Sequence, residues 1–370
     1  MSGILMTLEA FEIILPLPKQ LQLGEIVIPH REYTIVRAHD GDGFVGTAYG
    51  LSRNAPVAAT IQKTVAPFLE GQPLDTYDTL YARTVKANVP LGTNGIFWRA
   101  LSLADCAIYD LLAQRAKKPL YAFLGGQHQI TPTVLVGGYP LPSETAVSLT
   151  EEIQFLAAYN PAGIKIGSAS DYAKDTERLE TCRQAMPDGP PLMIDLYWNA
   201  PDAIALGEEA QKWTPFNMGW IEDPFPFDDF ESISHLAKTL PYPVAVGDEQ
   251  SGSRHFERLM DDGDVSVLRL DATVCGGIKT FIDICERAAK RNVPVSSHVY
   301  QFLHAQLAAA VPNVKWIECI LPELGLESIH LLWESEMTWK DGGFEPRRNP
   351  GVGYQWDEDA ITYYRQKSDN

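Results

Sequence analysis

The chain contains no run approaching 18 uninterrupted apolar residues, so no segment is long enough to cross a bilayer as a helix. Its opening stretch, MSGILMTLEAFEIILPLP, has no basic residues ahead of the apolar part, and a secretory signal is not expected. Cysteine is scarce: five residues at 106, 182, 275, 285 and 319, odd in number and without CxxC spacing. That pattern excludes a disulfide framework and predicts reduced thiols in a cytoplasmic protein. Positive charge is also short. Thirty Lys and Arg stand against 48 Asp and Glu, a net charge of −18, which argues against nucleic acid and anionic membrane as partners. There is no low-complexity tract and no flexible linker.

What is present is a series of short apolar runs ending on ionisable residues. PLMIDL carries Asp195, GWIEDP Glu222, VAVGDE Asp248, VLRLDA Asp271 and PVSSH His298, at intervals of 27, 26, 23 and 27 residues. Each interval fits one buried strand and one returning helix. TVLVGGY (133–139) and AGIKIG (162–167, with Lys165) extend the series upstream, and KWIECI (315–320, with Glu318) completes eight. Amphipathic segments such as SETAVSLTEEIQFLAAY and IKTFIDICERAAKR lie between them. Eight strand–helix units predict a (β/α)8 barrel of roughly 210 residues, with the ionisable residues at one mouth. An open doubly wound sheet would place its chemistry at one or two switch points, not at most strand ends.

The barrel is expected over residues 128–340. Residues 1–127 read as a smaller α+β capping domain. It has a hairpin at EYTIVRAHDGDGFVGTAYG, helical sequence near 56–69 and a long helix at 98–116. The Gly- and Pro-rich stretch 341–370 reads as an ordered tail packing back on that domain. Asp40-Gly-Asp-Gly43 is a hairpin turn, not a calcium loop, because Leu51 stands where a calcium loop requires a bidentate Glu. LPLPKQLQLGEI (15–26) and the region from Tyr49 to Arg53 are expected to be loops closing over the mouth.

Three carboxylates converging on one mouth, Asp195, Glu222 and Asp248, repel one another unless a cation sits among them. Oxygen ligands without Cys or His suit Mg2+ or Mn2+. Glu249 beside Asp248, and Asp223 beside Glu222, are alternatives, since alternation lets only one of two adjacent strand residues face inward. Asp271 and His298 end neighbouring strands, so the carboxylate can orient the imidazole as a general base. His304 belongs to the helix that follows. Lys165 is placed across the barrel as a second base, its pKa lowered by desolvation and metal. Glu318 would be an acid facing a developing oxyanion, provided its own pKa is raised. Tyr139, Tyr197 and Lys19 are candidate substrate contacts, with Gln20, Gln22 and Arg254 as weaker ones.

The runs GIKIG, IDLYWN, WIEDP, VGDE, LDATVCGG, SSH and WIEC, in this order, resemble the mandelate racemase branch of the enolase superfamily. The resemblance covers nearly the whole chain. It implies Mg2+ on Asp195, Glu222 and Asp248, with Lys165 and the His298–Asp271 dyad as bases on opposite faces of a carboxylate substrate. Glu318 is then the enolate partner. Implied reactions are dehydration of a sugar acid to a 2-keto-3-deoxy acid or racemisation or epimerisation of a 2-hydroxy acid; a barrel binding metal and carboxylate without turnover is a third reading. A homo-oligomer is expected. Two departures stand out. Gly163 replaces the first Lys of the family's Lys-x-Lys pair, and Tyr197 stands where Asn is frequent, with Asn199 further on.

Overall fold

The computed structural model describes residues 3–23, 26–141, 143–334 and 338–368; the side chain of Gln22 lies outside what it describes. The first unit opens with an antiparallel sheet of β1 (Leu5–Leu23), β2 (Ile26–Asp40) and β3 (Val45–Leu51). Asp40 Oδ1 accepts from the backbone N–H groups of Asp42 and Phe44, so this acid closes the β2–β3 turn. Of the closing loop expected at 15–26, residues 15–23 belong to β1 and Ile26 opens β2, while residues 24 and 25 lie outside the described residues. Leu15 and Leu21 are fully buried, and the register shifts between Pro16 and Leu21, where Pro16 and Pro18 cannot donate to the ladder. Tyr49 likewise belongs to β3 and to the core, edge-on to Tyr33, Tyr300, Trp333, Tyr354 and Trp356. Helical turns follow over 57–69 and a helix over Tyr77–Ala87. The long helix, Ile96–Arg115, packs against β3 and β2.

Eight parallel strands follow: β4 (Thr131–Gly137), β5 (Gly163–Gly167), β6 (Leu192–Asp195), β7 (Met218–Glu222), β8 (Val244–Val246), β9 (Val267–Leu270), β10 (Val295–Ser297) and β11 (Val314–Ile320). Pairing of β11 with β4 closes the barrel. Among the described residues no helix is long and apolar enough to cross a membrane. A hairpin of β12 (Trp339–Lys340) and β13 (Gly343–Phe344) adds antiparallel to β4. The final helix, Glu358–Ser368, lies along β1: Ser368 Oγ accepts from the Ile14 N–H at 2.8 Å, and Arg365 pairs with Glu9 at 2.9 Å.

Alternation along the strands sorts the side chains. Ile164, Ile166, Ile194, Ile221, Leu268, Leu270 and Ile317 are fully buried on the helix-facing side, which explains why the runs are nearly continuously apolar. The other parity points into the barrel. Met193, Trp220 and Val267 form an apolar cluster with Val134 and Ala245. Two residues further along each strand, the inward positions become Asp195, Glu222 and Arg269.

Candidate active site

Polar side chains from β5, β6, β7, β9, β10 and β11 meet above that apolar layer. Lys165 of β5 lies 3.3 Å from Asp195 and 2.9 Å from Glu318, and it also contacts Glu222. Arg269 of β9 is fully buried, with Nε 2.9 Å from Glu222 Oε2 and Nη2 bonded to Glu318. Its Nη1 donates to Ser296 Oγ (2.7 Å) and the Ser297 carbonyl (2.9 Å), and Trp220 Nε1 donates to Glu222 at 2.9 Å. Two cations thus stand among the carboxylates, and only Lys165 was anticipated. Arg269 shares inward parity with Asp271 in VLRLDA, so alternation alone could have found it.

Electrostatics divide the acids. Burial would raise Glu222, but Arg269 and Lys165 outweigh it and hold Glu222 below its ordinary range. Burial pushes Asp195 up to about 7 against the pull of Lys165, and raises Asp248 to about 6, helped by Glu222 and Glu249. Asp223 is pushed well up by burial and by Asp248, Glu222 and Asp195. The rule that only one of Glu222 and Asp223 faces inward does not apply here. Strand β7 ends at Glu222, and Asp223 turns into the cavity on a left-handed backbone (φ 43°). Similarly, β8 ends at Val246, and both Asp248 and Glu249 line the mouth. Glu249 is bound by Arg53 and Arg99 of the first unit, which outweigh burial and lower it to about 2. Asp248 Oδ1 is buried without a hydrogen-bond partner.

As the side chains stand, no three His, Cys, Asp or Glu among the described residues draw together tightly enough to hold a metal. The Lys165 ammonium takes the place among Asp195, Glu222 and Glu318. The donor chemistry nevertheless fits a hard divalent cation. Asp195, Glu222 and Asp248 are oxygen donors on consecutive units, two of them are costly to ionise unaided, and one has an orphaned buried oxygen.

Opposite Lys165, His298 Nδ1 lies 2.9 Å from Asp271 Oδ2, and Nε2 lies 3.7 Å from Asp248 Oδ2. Burial keeps the imidazole well below its ordinary pKa, with the Arg269, Lys165 and Arg53 cations adding to the effect. A neutral ring that donates from Nδ1 leaves Nε2 as an acceptor facing the cavity. His304 is more than a helix residue. Fully buried, it donates from Nδ1 to the Val299 carbonyl (2.6 Å) and accepts at Nε2 from the Ala272 N–H (3.1 Å), joining the loops that carry His298 and Asp271. Lys165 departs from the expected lowered pKa. Burial would lower it, but Glu222, Glu318 and Asp195 together raise it well above its usual value. Glu318 accepts from both Lys165 and Arg269, so an acid role would require one of these cations to withdraw.

The cavity above these groups measures about 510 Å³ and reaches Tyr139, Lys165, Asp195, Tyr197, Asp248, His298 and Glu318. Glu222 and Asp271 lie behind Lys165 and His298. Tyr139 and Tyr197 stack with ring centroids 6.4 Å apart, and Gly167 makes room for them, since a Cβ there would meet Tyr197 Oη at 2.6 Å. Three expected contacts fall elsewhere. Lys19 points to Glu152 (3.9 Å) and lines a neighbouring cleft, because its strand passes over the helix Ala146–Ala157 and not over the mouth. Gln20 and Arg254 are exposed away from the cavity. Asn199 faces a separate depression. The roof is formed by Val27–Glu32 of β2, which no motif marks in the sequence, and by Leu51 and Arg53 of the Tyr49–Arg53 segment expected to close over the mouth.

Comparison with known proteins agrees with this architecture. Residues 12–125 match the N-terminal domain of mandelate racemase/muconate lactonizing enzyme, and residues 148–360 match the enolase C-terminal domain-like family. The chain is 28% identical over 347 residues to L-talarate/galactarate dehydratase of Salmonella typhimurium, covering 92% of this chain and 83% of that one. It is 26% identical over 350 residues to arabinonate dehydratase of Saccharolobus solfataricus, covering 91% of each. An enolase from Bradyrhizobium, solved with magnesium and mandelic acid, superposes with a TM-score of 0.89 at 21% identity, covering 98% of this chain and 99% of that one. With both domains matched and the barrel closed as these proteins require, the chain belongs to the mandelate racemase/muconate lactonizing enzyme family of the enolase superfamily.

Proposed function

We propose that this protein is a Mg2+-dependent lyase that removes the α-proton of a sugar-acid carboxylate and expels its β-hydroxyl, giving a 2-keto-3-deoxy acid. The observation that carries this reading is the pairing of His298 and Lys165 across one cavity, one anchored by Asp271 and the other by three carboxylates. Asp195, Glu222 and Asp248 would hold the cation, and the bound cation supplies the positive charge that makes the α-proton acidic. Two curated relatives named above are dehydratases, and the Bradyrhizobium structure holds magnesium.

His298 is the better proton acceptor as the site stands, with Nε2 free of its own proton and Asp271 ready to stabilise the imidazolium. The C2–H pair of electrons passes into the enediolate. The C3–O bond then breaks, its oxygen leaving as water with a proton from an acid of the site. Lys165, across the cavity from His298, is positioned as that donor. The enol that remains takes a proton at C3 to become the 2-keto acid. Lys165 on the opposite face also suits a racemase or epimerase, in which it would return a proton to C2.

Incubation with Mg2+ in D2O against acid sugars and hydroxy acids separates these outcomes. Keto acid release is the expected result. Deuterium at C2 without keto acid would establish the isomerase, and absence of exchange with every compound despite metal binding would leave a barrel without turnover. His298→Asn should abolish reaction at one C2 configuration; full activity in that variant would remove the dyad from the mechanism.

A further inference from the structure

The cations around the cavity are engaged, with one exception. Lys165 pairs with Asp195, Glu222 and Glu318, Arg269 with Glu222 and Glu318, and Arg53 with Glu249. Arg31, on the roof strand β2, is only 7% exposed and lines the same cavity. Its Nε is buried without a hydrogen-bond partner, and its guanidinium makes no ion pair with any described residue. A guanidinium cannot shed its charge, and burying it unpaired is costly. Its charge is felt inside the site. Burial raises the Tyr139 phenol, and Lys165 and Arg31 both pull it back down, so Tyr139 stands between a cation of the floor and a cation of the roof.

We propose that Arg31 receives a carboxylate at the end of the substrate remote from the reacting carbon, so that the preferred substrates are acid sugars carrying a carboxylate at both ends. The inference rests on the reading of the site as one for acid sugars. A planar guanidinium fork matches a carboxylate in two parallel hydrogen bonds. The neighbouring acids of the roof, Glu32 and Glu327, are held by Ser52 and Tyr33 and leave Arg31 to the ligand. They also disfavour a doubly charged phosphate beside them.

The test is calorimetric titration in Mg2+ with hexaric acids and the matching hexonic acids, galactarate against galactonate and glucarate against gluconate, with 6-phosphogluconate as a third class. At least one diacid should bind about ten- to a hundredfold more tightly than its monoacid, the range of a charge-assisted hydrogen bond. Arg31→Met should erase that difference while leaving monoacid binding unchanged, and it should melt no lower than the parent; Arg31→Gln serves if the first variant does not fold. A monoacid or the phosphorylated acid as the tightest ligand, no binding by any member, or an unchanged diacid affinity in the variant would each overturn the assignment. Keto acid is followed separately. Diacid binding without keto acid would sink the lyase reading and keep Arg31, whereas keto acid from monoacids alone would do the reverse.

Discussion

The end of the Met193 side chain occupies the space that a side chain at Gly163 would need. A Cβ on Gly163 would lie 2.4 Å from Met193 Cε, and one on Gly219 would lie 2.7 Å from the same atom. The flexible end of Met193 therefore fills the space beside two glycines on neighbouring strands, in the apolar layer beneath the charged ring. That layer gives Gly163, the residue replacing the family's first lysine, a packing reason.

Gly163→Ala should therefore cost about 1–3 kcal/mol through overpacking, read as a lowered midpoint in denaturant. Met193→Ala in the same chain should recover part of that loss, so the two changes are not additive. Strict additivity would mean that the two residues do not compete for one space.

Arg269 supplies the second positive charge among the buried carboxylates, from a different strand than Lys165. Arg269→Met leaves Glu222 and Glu318 buried with Lys165 as their remaining cation. Breaking a buried pair from one side typically costs about 3–5 kcal/mol. Loss of less than about 1 kcal/mol in chemical unfolding would show that the guanidinium does not carry this load.

Added Mg2+ should stabilise the native protein by about 2.7 kcal/mol at a hundred times its dissociation constant, read as a raised melting temperature. Asp248→Asn, which alters the carboxylate with the orphaned buried oxygen, should weaken that response. Glu249→Gln should keep it, because Glu249 is held by Arg53 and Arg99. Equal loss in both variants would contradict the assignment of Asp248 as the ligand of that pair.

Acid should weaken the fold through His304. Burial lowers its pKa to about 4 in the native state, whereas an unfolded histidine titrates near 6.5. The unfolded chain then binds a proton that the native ring refuses, so stability is complete above about 6.5 and falls as pH drops toward 4. The loss is on the order of 3 kcal/mol. Asp105 works in the opposite direction. Burial pushes it up to about 7, so the native state keeps a proton the unfolded chain has released, and stability declines as pH rises from about 4 to 7. Comparison with His304→Gln at each pH isolates the histidine: the native protein's advantage should shrink as pH falls from 6.5 to 4. A constant difference across that range would refute it.

Much of this site was legible before the fold was seen, for a local reason. A buried parallel strand must be apolar along its length and can end on charge, so Lys165, Asp195, Glu222, Asp271 and Glu318 announce themselves at the rims of apolar runs. Arg269 was hidden by the same habit, as a charge inside a run looks like an exception until inward parity is followed back from Asp271. Asp223 and Glu249 were ambiguous because alternation was applied past the strand ends. Lys19 is hard to place from sequence because Pro16 and Pro18 suggest a loop, whereas buried Leu15 and Leu21 keep it in the sheet.

By itself, the order of residue types along the chain determined the barrel, the oxygen-rich donor set and the His–Asp dyad, since each follows from a period of two or from strand–helix spacing. Only the tertiary structure decided how the charges are compensated. Glu249 is answered from 150 residues away by Arg99, Glu318 from 49 away by Arg269, and Arg31 by nothing in the described protein. Compensation depends on distance in space and on burial, and neither is a function of sequence separation. Met193 filling the place of a side chain at Gly163 is the same lesson in packing: the neighbour that mattered came from the next strand.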